Sequence, residues 1–118
     1  MDERIEKAFA VANFATTLAN QRRVALEEYS QKLVYYFNGA TFKVSPELIA
    51  FIKTVLDLGY TSDVPFLDAN DFPVVVADVQ EFLDNVVSVY FEAVNEYTTK
   101  YAEIKKKRKI SDIVELWL

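Results

Sequence analysis

Oxygen-bearing side chains that could bind a cation are concentrated in one short stretch, Asp68-Ala69-Asn70-Asp71. Hard cations such as Ca²⁺ take carboxylate and carbonyl ligands from loops of this kind. The spacing does not match an EF-hand loop, which needs a glycine at its sixth position and a glutamate at its end. We therefore interpret the stretch as a polar turn and predict no metal site.

Three other carboxylates, Asp84, Glu92 and Glu96, recur at near-helical spacing. Di-metal sites in helical bundles combine such carboxylates with histidine, and the chain contains neither histidine nor cysteine. The commonest general base, thiol catalysis and thiolate metal sites are therefore excluded. The sequence shows no glycine-rich phosphate loop and no nucleophile elbow, so we expect no enzymatic activity and no cofactor.

Aromatic and basic residues of the C-terminal third could contact nucleic acid. Tyr90, Tyr97 and Tyr101 could stack on bases, but their helical spacing favours a packed helix face. A net charge of −5 argues against general nucleic-acid binding. The basic run at 105–109 suits the C-terminus of a helix; the residues in it that could contact phosphate are Lys105, Lys106, Lys107 and Arg108.

The elements that would carry these residues are two long helices. A seam with alternating steps of three and four, typical of a helix packed along another helix, begins at Ile5. Four successive seam positions are alanine, which lets a neighbouring backbone approach if that neighbour supplies bulk. The seam comprises Ile5, Ala8, Ala12, Ala15, Ala19, Arg22, Leu26, Tyr29, Leu33 and Tyr36.

A second seam with the same rhythm begins at Val79 and contains bulky tyrosines. In an antiparallel pair, the alanines of 8–19 would lie opposite the tyrosines of 90–101, and the acids Asp2, Glu3 and Glu6 beside the bases of 105–109. Small side chains would then face large ones and opposite charges would meet. This seam comprises Val79, Leu83, Val86, Tyr90, Val94, Tyr97, Tyr101 and Ile104.

The middle of the chain predicts short elements. Ser45-Pro46-Glu47 has the N-cap, first-turn proline and early acid of a helix start. Pro65 and Pro73 cannot donate to a ladder, so the strands that contain them should be edges. We predict a helix over 2–37, a strand over 40–44, a helix over 46–58, a β-hairpin over 64–76 and a helix over 79–107.

These elements predict a mainly α fold with a minor β part. At 118 residues and 52% hydrophobic composition, one domain over 1–109 is expected, with an apolar and acidic tail at 110–118. We predict a long antiparallel helical hairpin, with the short helix and the small β-hairpin inserted at its closed end. No apolar run is long enough for a membrane span, and the N-terminus does not read as a signal peptide, so a cytoplasmic protein is expected.

Apolar residues beyond the seams indicate an interaction surface. The short insertion cannot cover the full length of two long helices, and exposed apolar patches usually mark interfaces. We predict a homodimer in which two hairpins complete a four-helix bundle. The predicted self-association surface comprises Phe9, Phe14, Leu18, Val87 and Phe91.

The tail permits two interpretations. We expect it either to fold back on the hairpin or to act as a short partner-binding peptide with apolar anchors between acids. Its anchor residues are Ile113, Leu116, Trp117 and Leu118.

The order of these motifs resembles small uncharacterised helical proteins of large contractile-tailed phages of cyanobacteria. The resemblance is carried by Tyr35-Tyr36-Phe37-Asn38-Gly39, by Ser45-Pro46-Glu47, by the hairpin around 68–71 and by the tyrosine-rich last helix. Residues 112–118 are similar to the acidic and apolar C-terminal peptides with which replication and late-transcription proteins of such phages bind their sliding clamp. The resemblance implies a phage protein of the host cytoplasm or the virion.

We therefore expect a non-enzymatic interaction or assembly protein that forms homo-oligomers. The alternative is a replication or transcription accessory factor that is tethered to a partner such as a sliding clamp through its C-terminal peptide. Neither function requires a cofactor or a membrane.

Overall fold

The computed structural model describes the backbone of residues 2–116 and the side chains of residues 2–107. The elements are α1 (Glu3–Lys32), β1 (Val34–Phe37), β2 (Ala40–Lys43), α2 (Pro46–Asp57), β3 (Ser62–Leu67), β4 (Pro73–Asp78) and α3 (Val79–Leu116). The protein is thus mainly helical, as predicted, and the described residues form two small antiparallel β-hairpins where one was expected. None of the helices in the described part is both long and apolar enough to cross a bilayer.

The chain divides into two compact units where one domain was expected. Residues 1–30 and 95–118 form the helical unit, and residues 31–94 form the mixed unit. The long helices α1 and α3 each contribute to both. The apolar and aromatic residues of the short elements lie between residues 31 and 94, which gives the mixed unit a core of its own.

The first helix ends at Lys32, and the predicted extension to residue 37 is wrong. Residues Val34–Phe37 instead form β1, which pairs with β2 in the register Tyr35↔Phe42 and Phe37↔Ala40. β-branched and aromatic side chains favour a strand over a helix here. Asn38 and Gly39 both have positive φ, 49° and 78°, as a two-residue hairpin turn requires.

The second hairpin is longer than predicted by two residues at each end. β3 pairs with β4 in the register Val64↔Val76 and Phe66↔Val74. The sheet has only these two strands among the residues described, so both proline-containing strands are edges, as predicted.

The core of the mixed unit is built around Phe82 of α3. Its ring lies 5.0 Å from that of Phe42 and 5.4 Å from that of Phe66, measured between centroids. Tyr35 and Phe37 of β1 complete the aromatic cluster. The short helix α2 closes the core with Ile52, and its predicted start is confirmed, because Ser45 Oγ accepts a hydrogen bond from the Leu48 N–H at 3.1 Å.

The helical unit has antiparallel order but not the predicted register. The rings of Tyr29 and Tyr97 are tilted against each other, with 5.3 Å between their centroids. Glu28 accepts a hydrogen bond from Lys100, and Gln21 accepts one from Lys107 at 3.5 Å. Tyr97 therefore lies beside Tyr29 and not beside the alanines of 8–19. Lys107 contacts Gln21. The predicted contact of this lysine with the N-terminal acids is therefore also wrong.

A different stripe of α1 is turned inward. Ala8, Ala12, Ala15 and Ala19 are exposed to solvent. The inner stripe consists instead of half-buried Val11, Phe14 and Leu18 with buried Ala25. It has the same helical spacing but larger side chains, so that burying it removes more apolar surface from water than burying the alanines would.

The last helix continues to Leu116, beyond the predicted end at residue 107. No proline or glycine occurs after Pro73, so no helix-breaking residue stops α3 before the predicted tail. Residues 110–116 are therefore part of the helix backbone, whereas Trp117 and Leu118 lie outside the described residues.

Candidate functional site

The solvent-facing side of α1 is the strongest candidate for a binding surface. All of α1 lies in the described part of the chain, and Ala25 is its only buried residue. Most of the stability of a protein helix comes from packing of an apolar face. Here a second apolar face stays in contact with water: Ile5 is 47% exposed and Phe9 is 59% exposed.

We name this face the outer stripe of α1. Its positions recur at steps of three, four or seven residues, with Phe9 next to Ala8 at its edge, so they lie along one side of the helix. The small residues allow close approach of another backbone, and Ile5, Phe9 and Leu26 supply apolar area towards the two ends. The outer stripe comprises Ile5, Ala8, Phe9, Ala12, Ala15, Ala19 and Leu26, all exposed.

The predicted self-association residues do not share one environment. Phe9 borders the outer stripe, whereas Phe14 and Leu18 are half-buried on the inner stripe. Val87 packs against the core of the mixed unit. Phe91 remains more than half exposed and lies 5.3 Å from the ring of Tyr90. Of the five residues, Phe9 and Phe91 keep the exposure that a contact surface requires.

A groove in the helical unit contains the charged contacts between its two helical segments. It has a volume of about 420 Å³, and its lining includes Gln21, Val24, Glu28 and Lys100. The hydrogen bond that Lys100 donates to Glu28 raises the pKa of Lys100, and Glu96 at 3.3 Å acts in the same direction, while desolvation opposes them. Two carboxylates therefore hold the ammonium group, and its contact with Glu28 links the two helical segments that border the groove.

The polar turn at 68–71 is organised by Asp68. Oδ1 of Asp68 accepts hydrogen bonds from the N–H groups of Asn70 and Phe72, each at 2.9 Å, and Oδ2 accepts one from Thr41 N–H at 3.2 Å. These backbone bonds, with that of Phe72 the strongest, lower the pKa of Asp68 although burial opposes them. Oδ1 thus closes the turn of β3–β4 and Oδ2 ties that turn to strand β2, which is a structural role.

The carboxylates of α3 that were considered as metal ligands contact residues of the same helix at two positions. In the part of the chain that the structure describes, no three acidic side chains come together as a metal ion would require. Asp84 accepts a hydrogen bond from Gln80 at 2.9 Å, and Glu96 pairs with Lys100. Asp84 and Glu96 therefore each have a partner on their own helix.

The basic run and the tail are only partly described. Lys105, Lys106 and Lys107 are exposed, and Lys107 contacts Gln21. The side chains of Arg108, Ile113 and Leu116 lie outside the described residues, as do Trp117 and Leu118 altogether. The predicted phosphate contacts and the predicted partner-binding tail stay predictions.

One exposed apolar surface has no counterpart in the predictions. Leu67, Phe72 and Val75 of the second hairpin are exposed by 62%, 66% and 57%. The consecutive apolar residues of Pro65-Phe66-Leu67 and Pro73-Val74-Val75 could have revealed this surface. Neighbouring residues of a strand point to opposite faces, so both faces of this hairpin carry apolar side chains while the core covers one.

The chain matches no known protein family model, no curated protein and no solved structure. A proposal about its function therefore rests on the geometry and chemistry of its own residues.

Proposed function

We propose that this protein is a non-enzymatic interaction protein that self-associates through the outer stripe of α1. The observation that carries the proposal is the solvent exposure of Ile5 and Phe9 on a helix with one buried residue. Full burial of such a side chain contributes about 1.5–3 kcal/mol. Covering the exposed halves of several of them is therefore a substantial driving force for association.

Two copies of the outer stripe are complementary in an antiparallel arrangement. With the twofold axis between Ala15 and Ala19, Ala8 of one copy comes level with Leu26 of the other. Small side chains then meet small ones at the centre, which permits close approach, and small meets large towards the ends. A twofold contact of this kind uses one surface twice and closes into a dimer.

The proposal includes the helical hairpin as the scaffold that presents this surface. The antiparallel order of Tyr29 with Tyr97 and of Gln21 with Lys107 supports such a hairpin. We further propose that the short elements are an insertion at its closed end. The phage setting, in the host cytoplasm or the virion, belongs to the proposal as well and rests on the resemblance of the sequence motifs alone.

The mass of the protein in solution tests the proposal. We expect light scattering at micromolar concentration to give a dimer for the unmodified chain and a monomer for Ala15→Glu, which places two carboxylates at the centre of the contact. Ala15 is exposed and glutamate is a good helix former, so circular dichroism should show an unchanged helix content. The matched control is Asn13→Glu, which puts the same charge on an exposed position away from the stripe.

A monomeric unmodified chain at these concentrations would overturn the proposal. So would a variant Ala15→Glu that keeps the mass of the dimer, because the contact would then lie elsewhere.

A further inference from the structure

The second β-hairpin has an apolar face directed to solvent. Side chains along a strand alternate between two faces, and in β3 and β4 the residues Phe66 and Val76 enter the core. The intervening residues form what we name the outer face of the hairpin. It comprises Pro65, Leu67, Pro73 and Val75, all exposed.

The outer face is continuous across both strands. Leu67 is paired with Pro73, and Pro65 is paired with Val75, so the four side chains occupy adjacent positions on one side of the sheet. Phe72 pairs with buried Asp68 and therefore belongs to the other side of the ladder, although its ring is 66% exposed at the turn. Contiguous apolar surface on a soluble protein usually marks an interaction site.

The stretch of sequence that carries the outer face has charge of one sign. From residue 54 to residue 99 the sequence contains no lysine or arginine, but nine aspartates and glutamates. Exposed Asp63 precedes Pro65 on β3, and exposed Asp71 precedes Phe72 in the turn. Phosphate backbones and anionic lipid surfaces are repelled by such a rim, whereas lysine and arginine are attracted to it.

The strand edges are poorly suited to accept another strand. Asp68 N–H donates to Phe72 O at 2.9 Å, and in an antiparallel ladder the bonded pairs alternate with non-bonded ones. The pairs Leu67↔Pro73 and Pro65↔Val75 are therefore non-bonded, and their backbone groups point away from the ladder. Each outward edge thus contains a proline, which has no N–H to offer.

We propose that the outer face of β3–β4 is a docking surface for a basic, amphipathic segment of a partner protein. The apolar side chains of the segment cover Leu67 and Val75, and its lysines or arginines pair with Asp63 and Asp71. Binding uses the side-chain face of the hairpin and not strand addition. This site lies in the mixed unit and is independent of the outer stripe of α1.

A pair of synthetic peptides tests this inference on the full chain. One is an amphipathic peptide of leucine and lysine, and the other has the same pattern with glutamate in place of lysine. We expect the lysine peptide to shift the backbone amide resonances of residues 63–77 in NMR spectra, with weaker binding at higher salt. The glutamate peptide, anionic vesicles and single-stranded DNA should leave these resonances unchanged.

Two variants locate the contact. Leu67→Ser should weaken binding of the lysine peptide by about tenfold, which is the effect of losing one good apolar contact. Leu58→Ser is the matched control, because Leu58 is equally exposed at the end of α2 but lies outside the outer face. Asp63→Asn with Asp71→Asn should weaken binding at low salt and reduce its salt dependence.

Several outcomes would overturn the inference. They are equal binding of the two peptides, resonance shifts confined to residues outside 63–77, equal effects of Leu67→Ser and Leu58→Ser, and binding to vesicles or DNA at this surface. A change in the mass of the Leu67→Ser variant from dimer to monomer would also overturn it, since the face would then serve self-association.

Discussion

The carboxylate of Asp68 makes several polar contacts within the mixed unit. It accepts three backbone N–H groups, two of its own turn and one from Thr41 of β2. Ala69 N–H adds a return bond to Thr41 O at 2.8 Å. A single side chain therefore closes one hairpin and ties it to the other.

The pH dependence of stability should report on this carboxylate. The folded protein holds the pKa of Asp68 below its ordinary value, so the stabilising contribution is complete above the ordinary pKa of about 3.9 and is lost as the pH falls through the lowered value. Asp68→Asn turns an amide towards one of the N–H donors and should lower Tm at neutral pH. In thermal denaturation followed by circular dichroism, the difference from the unmodified chain should shrink as the pH falls below about 4.

Asp63→Asn is the control for this prediction. Asp63 is exposed, and asparagine tolerates its positive φ of 55°, so Tm at neutral pH should change little. A Tm of Asp68→Asn equal to that of the unmodified chain would contradict the role given to Asp68.

The short elements depend on a few positions where packing or backbone geometry is demanding. Phe82 joins α3 to both hairpins because its ring contacts Tyr35, Phe37, Phe42 and Phe66. Gly39 makes the β1–β2 turn possible because its φ of 78° lies in the left-handed region. The first position is sensitive to lost volume and the second to an added Cβ.

Removing the Phe82 ring should be costly. We expect Phe82→Ala to lower the free energy of unfolding by about 3–5 kcal/mol, from lost burial and the cavity left behind. Exposed Phe72 provides the control, since Phe72→Ala should change the free energy of unfolding by less than about 0.5 kcal/mol. Urea denaturation measures both, and similar values for the two variants would contradict the packing described for Phe82.

The turn at Gly39 should respond to backbone strain alone. A Cβ added there meets no atom within 4 Å, so steric overlap with neighbours is not an issue. Gly39→Ala should cost about 1 kcal/mol because an L-residue resists positive φ. Gly39→Asn should cost less, since asparagine adopts this conformation more readily; equal losses for the two variants in urea denaturation would argue against this explanation.

At the scale of the whole molecule, the exposed apolar surfaces should couple stability to concentration. If two copies cover the outer stripe of α1, the folded dimer is favoured by mass action and Tm rises with protein concentration. Ala15→Glu should remove this rise, whereas Asn13→Glu should keep it. The measurement is Tm from thermal denaturation over about a hundredfold range of protein concentration. A constant Tm for the unmodified chain would speak against self-association.

The sequence by itself determined the features that depend on neighbouring residues. Ser45 and Pro46 start α2 because capping involves only the residues of the first helical turn. The prolines of β3 and β4 indicate edge strands because the missing N–H is a property of the proline itself. The absence of histidine and cysteine excludes whole classes of chemistry before any folding. The antiparallel order of the helical unit was also expected, but from an alanine seam that faces solvent and from a charge pairing that Lys107 does not make.

Only the tertiary structure decided between local alternatives of similar quality. Asn38-Gly39 suits a helix C-cap as well as a hairpin turn, and pairing with β2 selects the turn. The helix α1 has two apolar stripes of the same period, and the larger residues Phe14 and Leu18 take the inward side while the alanines stay in water. The pairing of Tyr29 with Tyr97 and of Glu28 with Lys100 is likewise a long-range choice, because helical periodicity leaves open how far two antiparallel helices slide along each other.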